Sequence, residues 1–424
     1  MLDTSVCVVG CGYVGLTLAV YMARHGLRVH GVDISMNVLS ALRHKKAHFY
    51  EANFDPELAA AIDAGNFTFS NEIPNFSNPV TYIVTVGTPL RNGETLVNLD
   101  PLKDVSKSIA AKLKEGDTVI LRSTVKVGVT RSVVKPILDS SGKRYFLCFC
   151  PERTVEGKAF EELANLPQII SGIDSNSLSV AKSFFAPIAN EVVPMRSVEE
   201  AEMVKLLNNS ERDIKFAIAN EIALMCEAKN LDAYRIISAA NYKYSRSSLK
   251  FPGPVGGPCL EKDPYILTEG FLEDTYTPVL FKTGRKVNEL MLSNFFDIAL
   301  EIYTNAKSVP PRTIGVCGFA FKGNPPTGDI RGSMVIPLIS EIRKRLPNVI
   351  IYGHDYLATS ADMIAAGATK CFRDLSELIN LTDFIILQNN HPSYSSDPAW
   401  GMTRNGQFIF DFWNQLQKPQ LGPN

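Results

Sequence analysis

The chain lacks the marks of several protein classes. Its 424 residues hold eight cysteines but no CxxC pair, and six histidines with no HxH spacing. Cysteines that occur singly, or as Cys148-Phe-Cys150, form neither a disulfide scaffold nor a structural zinc site. No metal is therefore expected, and the chain reads as a reduced, cytoplasmic protein. Charge surplus is also missing: 43 Lys and Arg face 44 Asp and Glu, a net charge of −1, which argues against a nucleic-acid partner. Residues 4–23 carry no charge, nearly the length of a membrane span, but no basic stretch precedes them and Gly10, Gly12 and Gly15 interrupt them. A buried strand, a glycine turn and a buried helix account for the same residues, so no membrane association is expected. What remains is an ordinary globular balance, 45% hydrophobic and 21% charged, with length for two or three domains of about 150 residues each.

Strand-like and helix-like segments alternate at both ends of the chain. Apolar runs at 6–9, 28–33, 81–86, 118–122 and 145–149 read as strands, with a helix over about 14–25. Strands separated by helical stretches imply a parallel sheet. In the middle, Ser197 and Glu200 form an S-x-x-E capping box ahead of a helical pattern that runs to about residue 229. At about 1.5 Å per residue this is roughly 50 Å of helix, read as a spine between two domains and as a dimer surface. Val204, Leu207, Phe216 and Ile218 are expected on its buried side. Helical pattern recurs at 232–241 and 278–304. After Pro310-Pro311 strands return, at 313–317, 349–352, 384–387 and 408–410.

Gly10-Cys-Gly12-Tyr13-Val14-Gly15 follows the first strand and opens the first helix. Glycines there let the backbone turn tightly and approach a pyrophosphate, which sits on the helix N-terminus. Asp33 ends the second strand, where a carboxylate binds ribose hydroxyls and would repel a 2′-phosphate, favouring NAD over NADP. The expected fold is thus α/β: two Rossmann-like, doubly wound parallel-sheet domains joined by a long central helix and a helical middle domain, divided as residues 1–196, 197–306 and 307–424.

A second dense motif runs from Pro252 through Gly256, Gly257, Pro258, Cys259 and Asp263 to Pro264. An interior proline costs a helix about 3 kcal/mol, so a helix is expected to start at Asp263 and Pro264. Cys259 would then lie in a loop just before a helix N-terminus, where exposure and the helix dipole favour a thiolate. A chance loop cysteine, with Asp263 merely capping, is the alternative. Lys205, Asn209 and Arg212 share one helix face, as a solvated stripe would, yet Asn208-Asn209-Ser210 are poor mid-helix residues. Glu152 and Glu156, in the loop after the 145–149 strand, are either bases or ligand contacts, or surface charges. Thr88 and Thr124 stand just beyond strand ends, where open α/β sheets bind ligands. Phe321, Lys322 and Arg331 follow the 313–317 strand and would suit phosphates, or form an ordinary patch.

In combination these residues resemble the nucleotide-sugar 6-dehydrogenase family, which includes UDP-glucose, GDP-mannose and UDP-N-acetylhexosamine dehydrogenases. GYVGL, VGTP, RSTV, the PER…EG loop, KLxxN, GGPCxxKDP and AFK…DIR occur in the family's order, from Gly10 to the segment around His391. The resemblance implies two successive NAD+-dependent oxidations of a primary alcohol to a uronic acid without release of the aldehyde. It implies Cys259 as the nucleophile, through a thiohemiacetal and then a thioester. Lys205 and Asn209 would stabilise the oxyanion, and Asp263 and Thr124 would position a water. Glu152, Arg153, Thr154 and Glu156 match the loop over the sugar, with Glu156 assisting thioester hydrolysis. Gly10, Gly12, Tyr13, Val14, Gly15, Asp33, Thr88, Thr124 and Arg331 match cofactor contacts. Arg212, Gly256, Phe321 and Lys322 match substrate contacts, and Arg246 resembles an arginine that some members supply from a partner subunit of a homodimer.

The sugar is read from smaller differences. Pro151-Glu152-Arg153 replaces the PEF usual in UDP-glucose enzymes, and Pro264 follows Asp263. These, with Asn390-His391 and the Lys205–Asp213 segment, lean toward UDP-N-acetylmannosamine or UDP-N-acetylglucosamine. Pro258, where that branch commonly has His, and Lys262 depart from it. UDP-glucose stays open as the substrate. A two-electron NAD-dependent hydroxy-acid dehydrogenase and a silent NAD-binding regulator are the remaining alternatives.

Overall fold

The computed structural model describes residues 6–272 and 274–416. It divides into two compact units, one holding residues up to 208 together with 265–277, the other holding 209–264 and the chain from 278 onward. In the first unit six parallel strands form one sheet in the order β3-β2-β1-β4-β5-β6: β1 (Val6–Val9), β2 (Val29–Val32), β3 (Phe67–Ser70), β4 (Thr81–Val84), β5 (Thr118–Leu121) and β6 (Phe146–Phe149). Val6 lies opposite Val29 on one side and Thr81 on the other. The order reverses between β1 and β4, which opens a crevice at the carboxyl ends of these strands.

Period-two alternation sorts each central strand between two cores. Val6 and Val8 pack with Ile83, Ile120 and the first helix, Tyr13–Arg24, through Leu16, Ala19 and Val20. Cys7 and Val9 face the other way, onto Tyr82, Val84, Leu102 and Ile109. A two-stranded parallel pair, β7 (Gln168–Ile170) and β8 (Val192–Pro194), accompanies this sheet.

The second unit has five parallel strands in the order β11-β10-β9-β12-β13: β9 (Thr313–Cys317), β10 (Ile350–His354), β11 (Lys370–Phe372), β12 (Phe384–Leu387) and β13 (Phe408–Asp411). This is the same winding, with the reversal at β9 and β12. Ile314, Val316, Phe384 and Ile386 pack on Phe296, Leu338 and Ile342, while Ile385 and Leu387 pack on Leu375 and Leu378.

Three helices dominate the middle: Val198–Glu227, Ala233–Asn241 and Leu280–Lys307. The Ser197 hydroxyl accepts the Glu200 N–H at 3.2 Å, and the Glu200 carboxylate accepts the Arg196 N–H at 2.8 Å, so the capping exchange reaches one residue further back than a capping box. The buried line of this helix differs from the expected one. Leu207 and Ile218 are 36% and 46% exposed, Val204 and Phe216 are half-buried, and Ala201, Glu202, Lys205, Ser210, Asp213 and Asn220 face inward. Residue type misled here because most of these polar groups have partners. Glu202 accepts N–H groups from Gly128 and Thr130, Asp213 meets Arg285, and the Asn220 amide exchanges hydrogen bonds with the Gly253 backbone. Among the described residues no helix is long and apolar enough to cross a membrane.

One contact fixes the first helix against β1. A Cβ on Gly15 would stand 1.8 Å from the Gly10 carbonyl oxygen and 2.5 Å from Thr85 Oγ1. On an unpacked helix Gly→Ala stabilises by about 1 kcal/mol. Here Gly15→Ala is expected to reverse that sign and destabilise by about 1–3 kcal/mol, read as a lower urea midpoint.

Candidate active site

Each unit carries part of the candidate residues. In the first, the glycine turn suits a dinucleotide phosphate. Gly12 is the N-cap of the first helix with no side-chain cap bond, so the first-turn N–H groups of Tyr13, Val14 and Gly15 have no side-chain partner. A Cβ on Gly12 would meet nothing within 4 Å, so the space beside it is empty of protein. Asp33 Oδ2 accepts the Cys11 N–H at 2.8 Å, and Oδ1 accepts the Ser35 N–H at 2.8 Å, which holds the carboxylate at the mouth of this turn. Across the strand reversal, the Thr88 hydroxyl donates to the Thr124 carbonyl at 2.5 Å, joining the loops after β4 and β5. These residues fit NAD: the helix N-terminus could take the pyrophosphate and Asp33 the ribose.

Glu152 is not an open base. Its Oε2 pairs with Arg122 Nη2 at 2.5 Å, and its Oε1 accepts the N–H groups of Arg153 and Thr154 at 2.7 and 2.9 Å. Burial raises the carboxyl's pKa, but the charges of Arg122 and Lys205 and these hydrogen bonds outweigh it and hold it below its ordinary value. Arg153 donates to the Pro167 carbonyl. Glu156, four residues on, is half-buried in the same loop. Lys205 is only 9% exposed, yet among the described residues it makes no hydrogen bond or ion pair. An ammonium taken from water is costly, and the charge that it meets here is the Glu152 carboxylate.

In the second unit, Cys259 does not lie in a loop. It sits in a helical turn, Gly257–Leu260, followed at once by the helix Asp263–Glu269. Pro258 falls in the first turn, where its missing N–H is no loss, so the proline that argued against helix here is compatible with it. Cys259 is exposed; the other described cysteines are buried, apart from half-buried Cys371. Gly257 takes φ +93°, and a Cβ there would meet the Phe321 ring at 2.3 Å, so the AFK segment packs directly on the cysteine turn. The Gly257 N–H donates to the Gly332 carbonyl at 2.7 Å, and a Cβ on Gly256 would lie 2.3 Å from the same oxygen.

Asp263 Oδ2 accepts from Asn209 Nδ2 at 2.5 Å, and its Oδ1 pairs with Lys262 Nζ at 2.7 Å. Burial pulls the Lys262 pKa down, but the charges of Asp263 and Cys259 more than reverse this. A cation so placed favours a thiolate. Arg285 braces the turn from below: Nη1 pairs with Asp213 at 2.8 Å, and the guanidinium donates to the carbonyls of Val255 and Leu260, on either side of Cys259. Neither Lys262 nor Arg285 was singled out from sequence as a site residue. The one signal was position, Lys262 beside Asp263; Arg285 is one of several charges near the start of its helix, with Lys282, Lys286 and Glu289.

Arg331 is turned onto Asp329, with Nη2 at 2.6 Å, and is largely exposed. Arg212 is exposed, Arg246 lies over the Tyr244 ring at 4.8 Å, and Lys322 lies over Phe321 at 5.4 Å. The second sheet repeats the first one's device in a residue the sequence reading missed. Gly318 follows β9 with φ +93°, and Asp355 after β10 accepts N–H groups from Phe319, Ala320, Leu357 and Ala358 at 2.6–3.0 Å. Among the described residues no group of three or more His, Cys, Asp or Glu could hold a metal, the His44/His48 spacing included.

Three sequence models of the UDP-glucose/GDP-mannose dehydrogenase family match consecutive stretches: the NAD binding domain at 4–189, the central domain at 199–290 and the UDP binding domain at 315–418. The UDP-N-acetyl-D-mannosamine dehydrogenase of Pyrococcus horikoshii is 28% identical, over 98% of this chain and 97% of its own. The UDP-N-acetyl-D-glucosamine 6-dehydrogenase of Salmonella typhi is 28% identical over 82% of each. Among solved structures, the UDP-N-acetyl-mannosamine dehydrogenase of Staphylococcus aureus superimposes with a TM-score of 0.83 at 26% identity, covering 98% of this chain and 96% of that one.

The Glu152 environment carries a prediction with a sign. A carboxyl held below its ordinary pKa stabilises the fold at neutral pH, and that stabilisation is lost as pH falls through and below the ordinary value of 4.5. Glu152→Gln leaves Arg122 buried without a counter-charge. It is expected to lose about 3–5 kcal/mol at pH 7 and to show a flatter acid limb, read from urea midpoints at pH 7 and pH 4.

Proposed function

Because the chain belongs to the UDP-glucose/GDP-mannose dehydrogenase family and is an NAD-dependent nucleotide-sugar dehydrogenase, we propose that it oxidises the C6 hydroxyl of a UDP-N-acetylhexosamine, UDP-N-acetylmannosamine or UDP-N-acetylglucosamine, to the uronic acid in two steps. The observation that carries this reading is the exposed thiol of Cys259 beside Lys262, on a turn braced by Arg285. A single alcohol oxidation has no use for a thiol; trapping an aldehyde does.

NAD+ accepts one hydride at each oxidation. The first gives the C6 aldehyde, and the Cys259 thiolate adds to its carbonyl carbon to form a thiohemiacetal. The second oxidation, at the same carbon, gives a thioester. Water then attacks the carbonyl, the carbon–sulfur bond breaks and the thiolate returns. Lys205, buried and with no hydrogen bond among the described residues, and the second N–H of Asn209 stabilise the oxyanion at each stage. Asp263 and Thr124 position a water that takes the hydroxyl proton released with each hydride, and Glu156 takes the proton of the attacking water. Thr88 and Arg331 contact the cofactor, and Arg212, Gly256, Phe321 and Lys322 the UDP-sugar. Glu152, ionised and paired with Arg122, with Arg153 and Thr154, shapes the loop rather than exchanging protons.

The reading includes the three-part division at 196 and 306, a cytoplasmic location and a homodimer in which Arg246 reaches the partner's site. Leu207, Ile218 and Met225 are exposed on one face of the long helix, which supports a second copy there. Ile218→Asp is expected to shift the species measured by light scattering from dimer to monomer.

NADH yield per limiting sugar tests the chemistry on UDP-N-acetylmannosamine, UDP-N-acetylglucosamine and UDP-glucose in parallel. Two NADH per sugar are expected, with an N-acetylhexosamine responding. One NADH, or full uronate formation by Cys259→Ser, refutes the covalent route. Response to UDP-glucose alone moves the substrate to the alternative branch.

A further inference from the structure

The first unit holds a buried carboxylate that the chemistry above does not use. Glu51, just ahead of the helix Phe54–Asp63, is 9% exposed, and among the described residues no lysine or arginine pairs with it. Three neutral donors satisfy it instead. The Tyr13 hydroxyl donates to Oε2, the Gly157 N–H donates to the same oxygen at 2.7 Å, and the Ala159 N–H donates to Oε1 at 2.9 Å. The Gly157 N–H also lies 3.1 Å from the Tyr13 hydroxyl oxygen, closing a small ring of hydrogen bonds. Aromatic packing surrounds it, with Phe49 on Tyr13 at 4.8 Å and Phe54 on Phe160 at 5.5 Å between ring centres.

The donors come from two places that matter. Tyr13 is the first residue of the helix that opens on the glycine turn, and Gly157 ends the loop that carries Glu152 and Glu156. Ala159 opens the helix Ala159–Asn165, whose N-cap, Lys158, makes no side-chain cap bond, so Glu51 supplies that cap from elsewhere in the chain. A cap alone would need only the two N–H groups. The Tyr13 arm serves no cap; it ties the loop to the cofactor turn. A buried charge held only by neutral donors in a low-dielectric setting enforces its geometry, because each lost bond leaves it further unsatisfied.

We propose that Glu51 is a positioning residue, holding the 151–157 loop against the Tyr13 end of the glycine turn so that Glu156 is set for thioester hydrolysis. This rests on the function proposed above. In that step water gives a proton to Glu156, its oxygen bonds the carbonyl carbon, and the carbon–sulfur bond breaks to return the thiolate. The same latch couples the cofactor turn to the sugar loop.

Glu51→Gln tests it, since it replaces one acceptor oxygen with an N–H2 that meets donors. Backbone amide hydrogen exchange at 157–159 should quicken, and kcat for uronate formation should fall about 10–100-fold, the scale of a displaced catalytic group. NAD affinity, read by fluorescence quenching, should stay within about twofold. Because Glu51 acts through Glu156, the Glu51→Gln/Glu156→Gln double variant should be no slower than Glu156→Gln alone, whereas a merely structural role would add a further loss. Unchanged exchange overturns the latch. Quickened exchange with wild-type kcat, or losses that add in full, overturns the positioning role. If Glu51→Gln does not fold, Tyr13→Phe, which keeps the ring and the carboxylate, is judged by the same exchange and double-variant criteria. Should the wild type oxidise none of the sugars, the proposed function falls, while exchange at 157–159 still decides whether the latch exists.

Discussion

A parallel sheet cannot be made from hairpins: each strand must be followed by a crossover that returns the chain to the same end. Crossover helices cover both faces, so the central strands are apolar throughout, as Val6–Val9 and Phe384–Leu387 are. Side chains inside such a sheet are committed to packing. Chemistry is left to the turns at the strand ends, and it gathers where the winding reverses. Both units place candidates there, around Gly10, Thr88, Thr124, Glu152 and Phe321, while Lys205, Asn209, Cys259 and Asp263 stand on helices.

Around the candidate site, polar side chains divide by whether their bonds are already made. Glu152, Asp263, Asp213 and Arg285 are engaged by protein groups, and their work is to hold backbone in place. Lys205 is the contrast, a buried ammonium with no hydrogen bond or ion pair among the described residues. A folded chain does not keep such a group for stability. Satisfied groups build the frame, and the exception points to a ligand.

Legibility from sequence followed the same physics. Central strands and long helices were plain, because burial on both faces writes an unbroken apolar run. Of the strands that escaped notice, β3 and β11 are edge strands and β7 and β8 form a separate two-stranded pair, and none is buried along its full length. Spacing alone left Cys259, Lys205, Asn209 and Asp263 open to bland readings, and the family resemblance singled them out. The apolar side of the long helix was misassigned because Leu207 and Ile218 have no covering partner within the chain, while Asp213 and Asn220 do have hydrogen-bond partners inside. Glu51 and Arg285 were invisible for a related reason. Their donors and acceptors lie between about 25 and 108 residues away, and no local pattern encodes such pairings.

The two glycine–aspartate turns differ in what they leave unspent. A carboxylate offers about four lone-pair directions. Asp355 directs all of its bonding at four backbone N–H groups of its own unit, so it is saturated and serves as internal scaffolding. Asp33 accepts two among the described residues and keeps about half its capacity in reserve. The chain has thus built one device twice and closed it once: the second copy spends its acceptor on itself, and the first still has room for a visiting diol.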